Sequence, residues 1–330
     1  MGRSQHTSES CITYAHMSGG GGTSIESALR ACTNITFLRV ATVAAPSDGV
    51  LKGSPRRSRL SFPMATLTPL DDVISHAIRR RGNWEGITSA SDVAPVAGSG
   101  GGTFIDIGSN LGYFSHIFAR EGFRVIAIEP LTHNRHAIEA TLCMNPRFRR
   151  RGFEVLPLAV GPPAECWSIV NHRNRGNGRM QCNFVSKLGA RGATTYTGTA
   201  AAVAKTLSAA CSKQRLVYNG SLSTCEPVKM VPLDNALAHV QEAVPRPVIA
   251  KIDLEGGECG ALETSATLAT RLRVEYIWIE AKLPKTQRCM QKWADRYGYA
   301  IGEARPGVDK NTLLTRKAEA HTLVFGQERR

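Results

Sequence analysis

Nine cysteines occur in the sequence, but none forms a CxxC pair, which excludes zinc sites of the usual paired-cysteine spacing. No stretch approaches the roughly 20 unbroken apolar residues of a membrane-spanning helix, so no membrane span is expected. The N-terminus lacks an apolar core of the secretory type. An odd cysteine count without such a leader reads as reduced intracellular thiols, in a soluble cytoplasmic or organellar protein. Cys143 and Cys289 fall within helical patterns and read as packed. Acidic residues are scarce at the front, where Glu9, Glu26 and Asp48 are the only ones before Arg59. Internal repeats are absent.

The chain has 330 residues, 42% hydrophobic and 21% charged, in the range of ordinary globular domains. Its formal charge is +14, with basic clusters at Arg56-Arg57, Arg79-Arg80-Arg81 and Arg149-Arg150-Arg151. Three readings stay open: a nucleic-acid partner, an acidic small ligand, or a solvated basic surface. Residues 1–63 are rich in Ser, Thr, Ala, Gly and Arg. They read as a disordered or targeting extension outside the core, with Met64 an alternative start. Residues 64–102 form a preface and a Gly-rich linker. Within them TPLDDVISHAIRRRG predicts a short amphipathic helix, with Leu70, Val73, Ile74, Ala77 and Ile78 on one stripe, a lid or preface to the main domain or, more simply, a packing helix.

From Thr103 the pattern alternates. TFIDI, RVIAIEP, FEVLPLAV, CWSIV, VKMVPL, PVIAKIDL and VEYIWIE read as strands, with HTLVF a plausible last one. Helices are expected near residues 113–120, 133–144, 235–242, 258–269 and 285–296. Continuous apolar strands alternating with helices predict an α/β fold, doubly wound and mostly parallel, with helices on both faces. An Ala-, Thr-, Ser- and Gly-rich gap at about 184–227 breaks the rhythm and reads as a flexible insertion overhanging the site.

Chemistry concentrates at three places. In Asp106-Ile107-Gly108-Ser109-Asn110-Leu111-Gly112 a strand enters a glycine turn and a helix leaves it, the nucleotide-binding corner of doubly wound folds. Gly108 and Gly112 permit close backbone approach. The spacing is not G-x-G-x-x-G, which counts against NAD. Glu129 ends the next strand about twenty residues on, where a carboxylate accepts from ribose hydroxyls. Finally Lys251, Asp253, Glu255 and Glu258 crowd the end of an apolar strand, and Glu280 ends another. Charges there are costly unless solvated, paired or functional. For Glu258 the simpler reading is a helix N-terminal acid.

Taken in order, these motifs resemble the FkbM family of methyltransferases. D-x-G-x-N-x-G is matched by Asp106 to Gly112, E-P by Glu129-Pro130, and K-x-D-x-E-G-x-E by Lys251 to Glu258. Leu233-Asp234 and the strand-end Glu280 also fit, so the resemblance covers about residues 103–280. Thr264 stands where the family usually has glycine, and the insertion from Phe184 is longer than expected. The resemblance implies a Rossmann-like seven-stranded methyltransferase sheet within residues 103–330 and S-adenosyl-L-methionine as cofactor. The cofactor set is then Asp106, Gly108, Asn110, Gly112, Tyr113, Glu129, Pro130 and Ala159. The implied reaction is O-methylation of a sugar or other small hydroxyl acceptor. Asp253 is the first choice of base or orienter, Glu255 and Glu280 follow, and Lys251 tunes them. A divalent metal on these acids stays open. RNA methylation and a non-catalytic Rossmann-like scaffold are the rivals. The N/D-P-P-Y/F block of base-N6 enzymes is absent.

Overall fold

The computed structural model describes residues 38–44, 61–67, 72–96, 100–171, 174–182, 216–218, 221–304 and 311–317. In chain order the elements begin with β1 (Leu38–Val43), β2 (Phe62–Leu67), α1 (Val73–Arg81), β3 (Thr103–Ile107), α2 (Tyr113–Arg120) and β4 (Arg124–Ile128). Then come α3 (Thr132–Met144), β5 (Phe153–Leu156), β6 (Ala159–Val160), β7 (Ala164–Asn171), β8 (Asn174–Cys182) and β9 (Leu216–Tyr218). The rest are β10 (Ser221–Val231), α4 (Leu233–Ala236), β11 (Val248–Ile252), α5 (Glu258–Glu263), α6 (Ala266–Ala269), β12 (Tyr276–Glu280), α7 (Pro284–Tyr297), β13 (Tyr299–Ala304) and β14 (Asn311–Arg316).

The main sheet has seven strands in the order β13-β14-β12-β11-β3-β4-β5. Neighbours from β12 to β5 are parallel, whereas β14 runs antiparallel to both β12 and β13. Alternation along each strand divides the core. Phe104, Val125, Ala127, Ile249 and Trp278 pack on one face with β1, β2, α2 and α3. Ile105, Ile107, Ile126, Ile128, Ile252 and Ile279 pack on the other with α4, α5, α6 and α7. A second sheet, of order β6-β10-β7-β8 with β9 also on β10, stands beside it.

Several sequence expectations are corrected. FEVLPLAV is not one strand: Pro157, which has no N–H to donate, separates β5 in the main sheet from β6 in the second. The expected helix at 235–242 contracts to α4, and that at 258–269 breaks into α5 and α6. At the break the Thr264 hydroxyl bonds back to the carbonyls of Gly260 (3.0 Å) and Ala261 (3.2 Å), competing with the helical ladder. The gap read as an insertion at 184–227 ends early, because β9 and the first part of β10 are ordered strands within it. HTLVF lies outside the described residues. β13 and β14, which carry too many polar residues to stand out, complete the sheet instead.

The boundary at 63 is also corrected. β1 and β2 pair antiparallel from Leu38↔Leu67 to Val43↔Phe62. Leu38, Val43, Phe62 and Met64 are buried in the main core. The Ala65 N–H donates to Thr141 Oγ1 at 2.9 Å, and Phe62 meets Phe148 edge-on at 5.1 Å. The segment therefore belongs to the fold, its two short apolar strands hidden in a small-residue, basic context.

The reading of reduced thiols fails too. Cys166 pairs with Cys182 across β7 and β8, Cys259 pairs with Cys289 between α5 and α7, and Cys143 is also disulfide-bonded. With these five described cysteines bonded, the argument from cysteine to reduced thiols is lost. Among the described residues no helix is long and apolar enough to cross a membrane.

Phe62→Ala should cost about 3–5 kcal/mol in denaturant unfolding, the usual cost of emptying a buried aromatic site. A chain beginning at Met64 should melt several degrees below the full chain, because it lacks β1. Equal melting temperatures would show that β1 contributes nothing to the core.

Candidate active site

The carboxyl ends of β3, β4, β11 and β12 open on one cavity of about 310 Å³. Its floor is the turn between β3 and α2. Gly108 lies at φ 83°, and a Cβ there would come within 1.9 Å of the Asp253 carbonyl oxygen. Only glycine lets the β3 turn and the loop after β11 close on each other. Asn110 holds φ 53°, a left-handed conformation that Asn tolerates. Its Oδ1 accepts the Leu111 N–H at 2.8 Å, and its own backbone N–H donates to Glu129 Oε2 at 2.7 Å.

Glu129 is thereby joined to the turn. Its Oε1 also accepts the Leu131 N–H (2.9 Å) and Asn134 Nδ2 (3.2 Å). Burial pushes its pKa up to about 7, outweighing these three donors and nearby Arg135, which favour the carboxylate. Oε1 is thereby filled, whereas Oε2, with the Asn110 N–H as its one donor among the described residues, keeps a lone pair for a further donor.

On the other side, Lys251 Nζ sits 2.8 Å from Asp253 Oδ2 and 5.0 Å from the Phe114 ring centre. Burial lowers the Lys251 pKa, but the carboxylates of Asp253, Asp106 and Glu85 overcome it and hold the group above the ordinary lysine value. Glu280 pairs with Lys282 at 2.6 Å. Burial and the charge of Asp253 raise its pKa to about 7. Glu258 braces the loop instead, its Oε1 accepting the N–H groups of Leu254 (3.0 Å) and Gly256 (2.9 Å). That fits the structural reading of this acid.

Two residues expected at the ligand do not line the cavity. Asp106 lies beneath it, fully buried, with Oδ2 accepting the Ser115 hydroxyl at 2.6 Å and Oδ1 without a hydrogen-bond partner among the described residues. Burial raises its pKa, against the opposing pull of Lys251. Gly112 is required by packing rather than by a ligand. At φ 77°, its Cβ would press within 2.8 Å of both His116 Cε1 and Ile138 Cγ1. The other expected residues, Gly108, Asn110, Tyr113, Glu129, Pro130, Ala159, Lys251, Asp253, Glu255 and Glu280, all line the cavity.

Much of the remaining wall was not foreseen. Val73, Ile74, Trp84 and Glu85 come from the preface, Met230 from β10, and Gly176, Asn177, Gly178 and Met180 from β8. Asn110 Nδ2 donates to Asn177 Oδ1 at 3.0 Å, and Asn177 Nδ2 donates to Glu255 Oε1 at 2.6 Å. The Gly176 N–H reaches Asp72 Oδ1 (2.9 Å), and Asn134 Nδ2 reaches the Gly176 carbonyl (2.9 Å). Among the described residues β8 overhangs the site; residues 184–215 of the expected insertion lie outside them. The glycines of NRGNGRM were the only trace of β8 in the sequence.

The cavity is graded in polarity. Past Glu129 it is apolar, with Leu158, Ala159, Val160 and Met230. Past Gly108 it is charged, with Glu85, Lys251, Asp253 and Glu280. A nucleoside with a charged tail fits this gradient, as does a hydroxyl acceptor beside carboxylates able to take a proton. Among the described residues no group of three or more His, Cys, Asp or Glu side chains is placed to hold a metal ion.

Against models of known families, residues 106–304 match the methyltransferase FkbM domain. That match runs past the expected limit at 280, into β13, and leaves Val73 to Glu85 outside it. No curated protein and no solved structure matches the chain significantly.

The pH dependence of stability should expose Glu129. Its folded pKa, about 7, lies above the ordinary 4.5, so folding takes up a proton between these values. Its contribution is most favourable below about pH 4.5, declines as pH rises, and levels off above about 7. Glu129→Gln should remove that decline from melting curves taken across the window. An unchanged slope would mean that the carboxyl titrates normally.

Proposed function

The chain belongs to the FkbM methyltransferase family, and we propose that it is an S-adenosylmethionine-dependent O-methyltransferase acting on a small hydroxyl-bearing acceptor. The supporting observation is the graded cavity, with Glu129 on one side of the Gly108 turn and the β11 and β12 carboxylates on the other. The strand order, five parallel neighbours continued by an antiparallel β14, is compatible with a Rossmann-like methyltransferase sheet. The residues present fit the cofactor. Gly108 leaves the backbone bare, Glu129 Oε2 has a lone pair for a ribose hydroxyl, and Leu158, Ala159, Val160 and Met230 offer apolar contact to a base.

When bound, S-adenosylmethionine supplies an electrophilic sulfonium methyl group. The chain must place an acceptor oxygen in line with it and remove one proton. Glu280, with a pKa near 7, is poised to accept that proton at neutral pH. Asp253, held by Lys251, orients the acceptor hydroxyl. This division reverses the order of preference that the motif alone suggested. Asn177 and Glu255 are bonded to each other across the mouth.

Calorimetric titration with S-adenosylhomocysteine, beside NAD as control, tests the cofactor. Binding of the former alone is expected. Binding of NAD, or of neither by folded protein, would reject the reading. Asp253→Asn and Glu280→Gln should leave S-adenosylhomocysteine binding largely intact. Each should slow transfer from labelled S-adenosylmethionine to a hydroxyl-acceptor panel, the loss of the base by about 10²–10⁴-fold. Full turnover in Glu280→Gln would remove it as base.

A further inference from the structure

Asn177 stands between the two charged motifs of the site and belongs to neither. Its Oδ1 accepts Asn110 Nδ2 at 3.0 Å, and its Nδ2 donates to Glu255 Oε1 at 2.6 Å. Asn110 sits in the turn after β3 and Glu255 in the loop after β11, so one amide joins the two. The described non-glycine residues with positive φ are Glu85, Asn110, Glu255 and Arg273, and both partners of Asn177 are among them. Such outliers gather at functional sites, where surrounding structure holds them. The strand that carries Asn177 is shaped for this contact. The register of β7 with β8 jumps from Val170↔Gly178 to Asn171↔Asn174, which puts Gly176 and Asn177 in a bulge. Bulges re-aim side chains and are frequent beside active sites. The Gly176 peptide is pinned there, its N–H on Asp72 Oδ1 and its carbonyl under Asn134 Nδ2, each at 2.9 Å. A Cβ at Gly176 would lie 2.4 Å from Asp72 Oδ1 and 3.0 Å from Asn110 Oδ1, so only glycine lets β8 press down onto the turn.

The backbone around each partner is already braced. Asn110 holds its own turn through the Leu111 N–H and Glu129, and Glu258 accepts the N–H groups on either side of Glu255. What Asn177 adds is the link between the two loops. Among the described residues no hydrogen bond joins Asn110 to Glu255 directly, so a polar route from one to the other runs through this amide. Resting on the cofactor reading above, we infer that Asn177 is a positioning residue that couples the acceptor side of the cavity to the cofactor turn. Glu255 orients the amide, the amide orients Asn110, and the turn is thereby ordered before the cofactor arrives, which removes part of the cost of binding. Such coupling is reciprocal. A cofactor seated on the Gly108 turn therefore also fixes Glu255 beside the acceptor.

The test is a double-mutant cycle, read by calorimetric titration of the full chain with S-adenosylhomocysteine. Asn177→Ala and Glu255→Ala should each weaken binding at least about fivefold, the lower end of ordinary coupling between sites. The double variant should bind no more weakly than Asn177→Ala alone, because Glu255 acts through that amide. A polarity exchange separates this effect from simple loss of folding. Asn177→Asp keeps an acceptor for Asn110 but sets a carboxylate against Glu255, and should weaken binding likewise. Adding Glu255→Gln supplies a donor to that carboxylate and should restore most of the affinity. Losses that multiply in the double variant, unchanged affinity in Glu255→Ala, or no recovery in the exchanged pair would overturn the coupling while leaving the cofactor reading in place. Failure of the wild type to bind S-adenosylhomocysteine would instead sink the cofactor reading and this inference with it.

Discussion

The closest approach in the site is made by backbone alone. The Asp253 carbonyl lies where a Cβ of residue 108 would be, 1.9 Å from that position. The Asp253 N–H donates to the Ile107 carbonyl at 3.0 Å, so the pairing of β3 with β11 continues past the sheet edge. Two motifs separated by more than a hundred residues thereby become one surface. Lys251 and Asp253 stand beside the turn that carries Asn110, and Asn110 in turn is bonded to Glu129. Any side chain at 108 would separate these loops and disconnect the carboxylates from the turn.

Around that junction, charge is handled by pairing in depth. A buried ammonium or carboxylate costs several kcal/mol unless its partners are close. Lys251 is placed among Asp253, Asp106 and Glu85, with the Phe114 ring beneath it. Asp106 never reaches the cavity, yet it is one of the charges that keep Lys251 protonated. Its place in the motif is thus electrostatic support from below. Glu129 and Glu280 differ from it in kind: both are raised toward neutrality by burial, and both face the cavity, one on each side of Gly108.

The site also depends on segments that carry no chemistry of their own. β8 spans the mouth through Asn177, which bridges Asn110 and Glu255, and through Gly176, which is held by Asp72 and Asn134. Asp72 caps α1 as well, accepting the Ser75 N–H at 2.7 Å. A single carboxylate therefore fixes both the preface helix and the cover strand. The β1–β2 pair stands behind this arrangement, packed against α3 near Thr141 and Phe148.

The strands β3, β4, β11 and β12 and the helices α2, α3 and α7 were legible in the sequence, and ten of the twelve residues expected at the site line the cavity. Their signals are local: an apolar run ending in glycine, a carboxylate at a strand tip, a charged block after VIAKI. Strand polarity alone places such residues on one edge of a parallel sheet. Only tertiary structure decided that Asp106 and Gly112 lie behind the cavity, that Glu85 and Asn177 line it, and that Cys166 pairs with Cys182 and Cys259 with Cys289. Those facts depend on which remote segments meet, and burial and charge act through space. Neither the conformation at Glu85 nor the path of β8 leaves a periodic pattern to read. The sequence by itself determined where the chemistry lies along the sheet; the folded chain decided what surrounds it, because enclosure is a property of contacts between distant residues.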